Sequence, residues 1–277
     1  MTWLLRAVPA AVLLATFGCH DEGSPTTPTA DPVPAGAYRL VWSDEFDRDG
    51  APDSTRWTYD VGGHGWGNNE LQFYTDNRRE NARVESGHLV IEARRESWES
   101  LDYTSARLVT KGKGDWTYAR IEVRAQLPVG RGSWPAIWTL GSKTPMQWPD
   151  DGEIDIMEHV GFDQGVVHAS IHTRQYNHVQ ATQRTARIAV PDVSSGFHTY
   201  ATEWTADRIE TSVDGRVYFS FAREPQGGRG AWPFDAPQHL LLNVAVGGNW
   251  GGQRGVDDAT LPYRFLIDYV RVYQRAP

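Results

Sequence analysis

The chain is poor in cysteine. Of its 277 residues only Cys19 is one, so no internal disulfide staples the fold and no Cys-based zinc spacing is present. It also lacks a basic surplus. Lys and Arg total 27 against 35 Asp and Glu, a net charge of −8, which argues against a nucleic-acid groove. No apolar run approaches the ~20 residues of a membrane-spanning helix. No helical periodicity is sustained over ten residues, no internal repeat is visible, and the glycine clusters lack phosphate-loop spacing. What remains is one large domain with an N-terminal appendage.

The appendage has its own pattern. Arg6, a largely apolar stretch at 7–15 and small Gly18 precede Cys19, as in a secretory signal. A Cys directly after a small residue resembles a bacterial lipoprotein cleavage site. The sequence therefore predicts a signal peptide over 1–18 and lipidation at Cys19. The protein is expected to be exported, as a cell-surface or outer-membrane lipoprotein or in secreted form, with membrane contact only through that anchor. Residues 19–37, rich in Pro, Thr and acids, read as an extended linker. The folded domain is expected over 38–277.

Strand signals dominate that domain. In 117–127, Ala119, Ile121, Val123, Ala125 and Leu127 fall on one face and Tyr118, Arg120, Glu122, Arg124 and Gln126 on the other, the period of a half-buried strand. In 166–174, Val167, Ala169 and Ile171 alternate with His168, Ser170 and His172. Further strands are expected at 38–42, 89–94, 197–204, 208–213, 217–221, 239–246 and 265–273. Many antiparallel strands separated by Gly, Pro and Asp turns predict an all-β fold, a two-sheet sandwich of jelly-roll type.

The chain is organised around Trp148-Pro-Asp-Asp-Gly-Glu-Ile-Asp-Ile-Met-Glu-His-Val-Gly161. Alternation puts Glu153 and Asp155 on one strand face and Ile154 and Ile156 on the other. Glu158 is out of phase by one residue. An extra residue at Ile156-Met157, a β-bulge, would return it to the acidic face. Three crowded carboxyls resist joint ionisation. A retaining glycosidase needs two of them about 5–5.5 Å apart, one as nucleophile and one as acid/base. The same residues also fit a surface strand with solvated acids.

Twelve Trp suit flat sugar faces, although at least half of them are expected in the core. Trp134 and Trp138 share a face, and Trp148 and Trp250 lie in loops as binding residues or loop anchors. Asn243 points away from the apolar face of its strand, towards the groove that His172 and the acids line. His168 reads as a satisfied surface residue.

Several stretches together resemble glycoside hydrolase family 16 in its bulged, laminarinase-like form. They are Gly152-Glu-Ile-Asp-Ile-Met-Glu-His159, Trp42-Ser-Asp-Glu-Phe46, Gly67-Asn-Asn-Glu-Leu-Gln-Phe-Tyr-Thr75, Trp134-Pro-Ala-Ile-Trp138, Ile171-His-Thr-Arg-Gln-Tyr-Asn-His178 and Asp268-Tyr-Val-Arg-Val-Tyr273. The resemblance implies a curved, concanavalin-like jelly roll and a retaining, endo-acting hydrolase. Glu153 matches the nucleophile, Glu158 the acid/base and Asp155 the residue that assists the nucleophile. Met157 sets the chain apart from lichenase-like members, and His159 with Tyr176-Asn-His178 is most similar to endo-1,3-β-glucanases. Mixed-linkage glucan, a galactan, or a non-catalytic glucan-binding module remain alternatives.

The resemblance places Trp134 and Trp138 in the cleft, with Asn69 and Glu70 hydrogen-bonding sugar hydroxyls at its rim. Arg107 and His172 would orient the substrate or the acids. Asp268, read as sharing a face with Leu266, Val270 and Val272, needs an arginine or a cation as partner. The resemblance supports a structural calcium held by its side chain and the backbone oxygens of Glu45 and Gly87, with no cofactor for catalysis. The expected partner is a polysaccharide, met by a monomer.

Overall fold

A computed structural model describes residue 2 and residues 36–276. The signal, Cys19 and most of the linker therefore lie outside the described residues. Gly36 N–H donates to the Ala276 carbonyl and Ala276 N–H to that of Ala37, so pairing begins two residues before Tyr38.

The domain is a curved jelly roll of two sheets. One has ten strands, in the order Arg216–Ala222, Arg208–Val213, His198–Trp204, Ala119–Gln126, Tyr263–Arg275, His88–Trp98, Leu101–Ser105, Gln72–Tyr74. Tyr38–Asp44 also joins Tyr263–Arg275, and Ala82–Glu85 joins His88–Trp98. The other has eight strands, in the order Arg184–Ala189, Val166–His172, Glu153–His159, Ser133–Gly141, Gln238–Val246, Arg107–Val109, Thr58–Tyr59, with Asp115–Trp116 against Gln238–Val246. Pairing is antiparallel except between Gln72–Tyr74 and Leu101–Ser105. Among the described residues the single α-helix is the four-residue Gly228–Ala231, and no helix is long and apolar enough to cross a membrane.

The predicted alternation holds where it is cleanest. Ala119, Ile121, Val123, Ala125 and Leu127 are buried, as are Val167, Ala169, Ile171, Leu240, Leu242, Val244 and Val246. These rows interleave between the sheets as the core. Asp214-Gly215 closes the hairpin between Arg208–Val213 and Arg216–Ala222 with φ of +50° and +77°, the two-residue turn whose twist matches its strands.

The tryptophans depart from expectation. Among the described residues four of eleven tryptophans, Trp57, Trp116, Trp204 and Trp232, are buried, fewer than half. Trp66, Trp134, Trp138, Trp148 and Trp250 stay partly exposed, because they stand on or beside the outer face of the eight-stranded sheet.

Candidate active site

The strand Glu153–His159 is pinned at both ends by glycine. Gly152 has φ of +82°, and a Cβ there would meet Pro233 and Phe234 at 2.8 and 2.9 Å. A Cβ on Gly161 would lie 1.7 Å from the Gly130 carbonyl oxygen, so only glycine fits.

Between these ends the strand carries the expected bulge. Towards Ser133–Gly141 the pairing runs Ala136–Glu158, Ile137–Met157, then Trp138–Asp155, leaving Ile156 unmatched. Towards Val166–His172 it jumps from Asp155–Ser170 to Glu158–His168. Ile156 and Met157 both enter the core without exposure, which returns Glu158 to the outer face. Register then lays out three rows across that face. Arg107, Asn243, Ala136, Glu158 and His168 form one, Leu241, Trp138, Asp155 and Ser170 a second, and His239, Leu140, Glu153 and His172 a third. The small Ala136 beside Glu158 leaves space between the indoles of Trp134 and Trp138.

Each outer acid is held by an indole. Trp134 Nε1 donates to Glu158 Oε1 at 3.0 Å, and Trp148 Nε1 donates to Glu153 Oε2 at 2.7 Å. Burial at the cleft floor, then the charges of Asp155 and Glu153, push the Glu158 carboxyl well above the usual range, with His172 and the Trp134 bond pulling the other way. Burial raises Asp155 as well, followed by the charge of Glu153 and a hydrogen bond to it. That direction favours the protonated form of Asp155, the form able to donate towards Glu153. His172 Nε2 stands 3.2 Å from Asp155 Oδ2 and 3.8 Å from Glu153 Oε1. Neither pair is aligned for a hydrogen bond, which leaves Asp155 Oδ2 without a bonded partner; the other ring nitrogen, His172 Nδ1, is also buried without one.

Glu153, Asp155 and His172 present ligand atoms within 4.8 Å of one another, close enough for a small cation. A proton shared between Asp155 and Glu153 satisfies the same crowding with the buried acid neutral. Chemically the row offers Glu158 and Asp155, two carboxyls that burial pushes upward, on one face with Glu153, which an indole N–H binds.

The expected binding residues gather around this row. Trp138 Nε1 donates to Asn243 Oδ1 at 2.7 Å. The guanidinium of Arg107, 7% exposed, lies between the rings of Trp66 and Trp138 at 4.6 and 4.7 Å. Trp250 packs edge-on against Trp134, their centroids 5.5 Å apart. Trp148 leans on His172 and His178. Asn69 is exposed at the rim and donates to Asn249 Oδ1, tying its loop to the loop of Trp250.

Glu70 differs from its expected place as a free rim acid. Its carboxylate accepts from Gln72, Tyr74 and Asn68, and burial raises its pKa. It belongs to the wall behind the cleft. His168 differs too. It faces Glu158 across the strand pair, its Nε2 is buried without a partner, and Trp250 covers it edge-on at 5.0 Å. The loop 247–252 that closes over His168 lies far away in sequence, so the strand pattern could not reveal it.

Sequence reasoning passed over Trp66, Gln72, Tyr74 and His178. A signal for two of them was present, since Glu70, Gln72 and Tyr74 alternate.

Asp268 also requires correction. Its strand is buried at Phe265 and Ile267, then at Val270 and Val272, because pairing with Ala119–Gln126 shifts between Ile267 and Tyr269. Asp268 thus faces outward, half-exposed, and forms an ion pair with Arg124, with His88 Nε2 3.9 Å away.

A family model described as "Glycosyl hydrolases family 16" matches residues 68–271. The chain is 53% identical to a β-glucanase of Rhodothermus marinus over 272 residues, covering 96% of this chain and 93% of that protein. The fold superposes on the crystal structure of the laminarinase from Rhodothermus marinus with a TM-score of 0.85 at 55% identity, over 87% of this chain and 99% of the other. A structure named as a non-specific endo-β-1,3(4)-glucanase from family GH16 matches with a TM-score of 0.83 at 49% identity, over 89% and 95%.

Proposed function

This chain belongs to glycosyl hydrolase family 16, and on that premise we propose that it cleaves β-1,3-glucan of the laminarin type, as an endo-acting, retaining glycosidase. The observation that carries the reading is the bulge at Ile156-Met157, which brings Glu158, its carboxyl pushed upward by burial, onto the face of Asp155 and Glu153. A glucan-binding module would need the tryptophans but not this acid pair.

In the proposed reaction the Glu153 carboxylate attacks the anomeric carbon as the bond from that carbon to the leaving oxygen breaks. Glu158 gives its proton to that oxygen. A glycosyl ester of Glu153 forms, with Asp155 donating a hydrogen bond that orients the attacking carboxylate. Loss of the Glu153 charge lowers the Glu158 pKa. Glu158 then takes a proton from water, whose oxygen attacks the anomeric carbon and restores the Glu153 carboxylate with configuration retained. His172 supports the acids from the neighbouring strand. Trp134, Trp138, Trp148 and Trp250 offer rings to sugar faces.

A mixed 1,3(4) preference is a second reading, favoured by the likeness to the non-specific endo-β-1,3(4)-glucanase. Product analysis on laminarin, lichenan and agarose with wild type and Glu153→Gln separates the readings. Cleavage of laminarin, lost in Glu153→Gln, is expected. Cleavage of agarose alone would overturn the substrate assignment.

Calcium and export complete the proposal. The proposed calcium ligands are the Asp268 carboxylate and the backbone oxygens of Glu45 and Gly87; the charge of Asp268 acts on Glu45, and Gly87 turns into the strand whose Leu89 pairs with Ile267. Backbone oxygens there and the Asp268 carboxylate, one oxygen of which Arg124 leaves free, are hard ligands suited to Ca2+. Such an ion would stabilise the fold without taking part in catalysis. Lipidation at Cys19 would retain the enzyme at the cell surface. Loss of membrane-fraction localisation in Cys19→Ala supports that anchor, and unchanged localisation contradicts it.

A further inference from the structure

Behind the cleft wall, four side chains form a hydrogen-bond relay with one possible direction. Trp138 Nε1 donates to Asn243 Oδ1 at 2.7 Å, Asn243 Nδ2 donates to the Tyr74 hydroxyl at 3.0 Å, and that hydroxyl donates to Glu70 Oε2 at 3.2 Å. An indole can only donate and a carboxylate can only accept, so the two ends fix the orientation of the amide and the hydroxyl between them. Tyr74 is fully buried and its pKa is raised well above the usual value, which keeps it a donor. Gln72 anchors the far end. Its Nε2 donates to Glu70 Oε2 at 2.7 Å and its Oε1 accepts from Val246 N–H at 2.7 Å.

The near end carries the sugar-facing surface. Trp138 is one layer of the stack in which Arg107 lies between two indoles. A ring whose N–H is held cannot tilt freely, and a chain of bonds ending on a carboxylate is stronger than neutral bonds alone.

We propose that Glu70 and Tyr74 are positioning residues of the glucan-binding face, holding the Trp138 indole and the Arg107 stack in a preformed platform for one sugar ring. The inference rests on the reading that this face binds glucan. The benefit of the relay is preorganisation, since the platform is ordered before the sugar arrives.

The directionality makes removal of the terminal acceptor informative. Glu70→Met keeps the length of the side chain and takes away both oxygens that accept from Tyr74 and Gln72. Tyr74 must then turn its proton towards Asn243, whose amide must flip, and the Trp138 N–H is left facing an NH2 group. Tyr74→Phe breaks the relay in the middle. The test measures solvent exchange of the Trp138 indole proton by 15N NMR, its resonance assigned with Trp138→Phe, together with KM and kcat on a laminari-oligosaccharide.

In both variants the indole proton should exchange at least about tenfold faster, and KM should rise by roughly tenfold, more than kcat changes, the size of one lost buried hydrogen bond. Wild-type exchange in folded Glu70→Met overturns the relay, as does an unchanged KM despite faster exchange. If Tyr74→Phe does not fold, Glu70→Met decides alone. Failure of wild type to cleave any β-1,3-glucan would strike the substrate reading, while the exchange measurement would still judge the relay.

Discussion

The indole N–H of Trp148 donates to Oε2 of Glu153 at 2.7 Å, although the Trp148 side chain is more than one-third exposed. An exposed ring therefore fixes the proposed nucleophile. A hydrogen bond to a charged acceptor is worth about 1.5–3 kcal/mol. Trp148→Phe should lower kcat/KM by roughly tenfold or more, with little change in thermal midpoint because the benzyl ring still covers His172 and His178. Steady-state kinetics paired with a melting curve check this, and unaltered kcat/KM would remove the bond from the mechanism.

Trp134 acts on the other acid. Its N–H favours the charged form of Glu158, so Trp134→Phe should push the Glu158 pKa higher still. Glu158 must be protonated for the first step, and the alkaline limb of the kcat/KM profile should move to higher pH. A pH series on both proteins reads the shift, and a limb that moves down contradicts the assignment of Glu158 as the acid.

The acid row should be a stability cost at neutral pH. Burial raises Asp155 and Glu158 above their unfolded values. Any stability tied to their protons is complete below the unfolded pKa and is lost as pH rises through the folded one. Glu158→Gln should therefore melt higher than wild type at neutral pH, with the gain fading below the ordinary carboxylate range. Equal midpoints at all pH values would show that the crowding is already relaxed.

His159 sets the acid side. Burial lowers its pKa from 6.5 to about 4, helped by nearby His168 and opposed by Asp163. Between these values the unfolded chain binds a proton that the folded chain refuses, so stability falls as pH drops through that window. The slope is at most about 1.4 kcal/mol per pH unit for one group. In His159→Gln, urea unfolding between pH 6.5 and 4 should show a shallower decline than wild type.

The calcium proposal has its own readout. Chelator should lower the wild-type melting temperature and added Ca2+ restore it, whereas Asp268→Asn should respond to neither. A wild-type midpoint indifferent to chelator would leave Asp268 as the partner of Arg124 alone.

Much of this was legible in the chain. Two-residue alternation in 119–127 and 239–246 identified buried strands, because a sheet with one face in the core imposes that period on its residues. The single phase slip at Ile156-Met157 predicted the bulge, since no other local device returns Glu158 to the face of Asp155. Trp134, Trp138, Trp148, Trp250, Asn69, Asn243 and His172 were named as candidates, each on a strand or loop with a suitable face, whereas Trp66 and His178 were not.

What the chain did not disclose depends on which strands become neighbours. Glu70 reads as a rim acid until Gln72, Tyr74 and Asn243, the last 173 positions further along, close around it; the separation follows from the numbering. Asp268 reads as inward until a one-residue shift against Ala119–Gln126 turns it out towards Arg124. His168 reads as solvated until Trp250 covers it. Periodicity along one strand is a local consequence of backbone geometry, so sequence alone determined the faces and the acids on them. Burial, pKa and hydrogen-bond direction depend on side chains brought in from distant strands, and those only the tertiary structure decided.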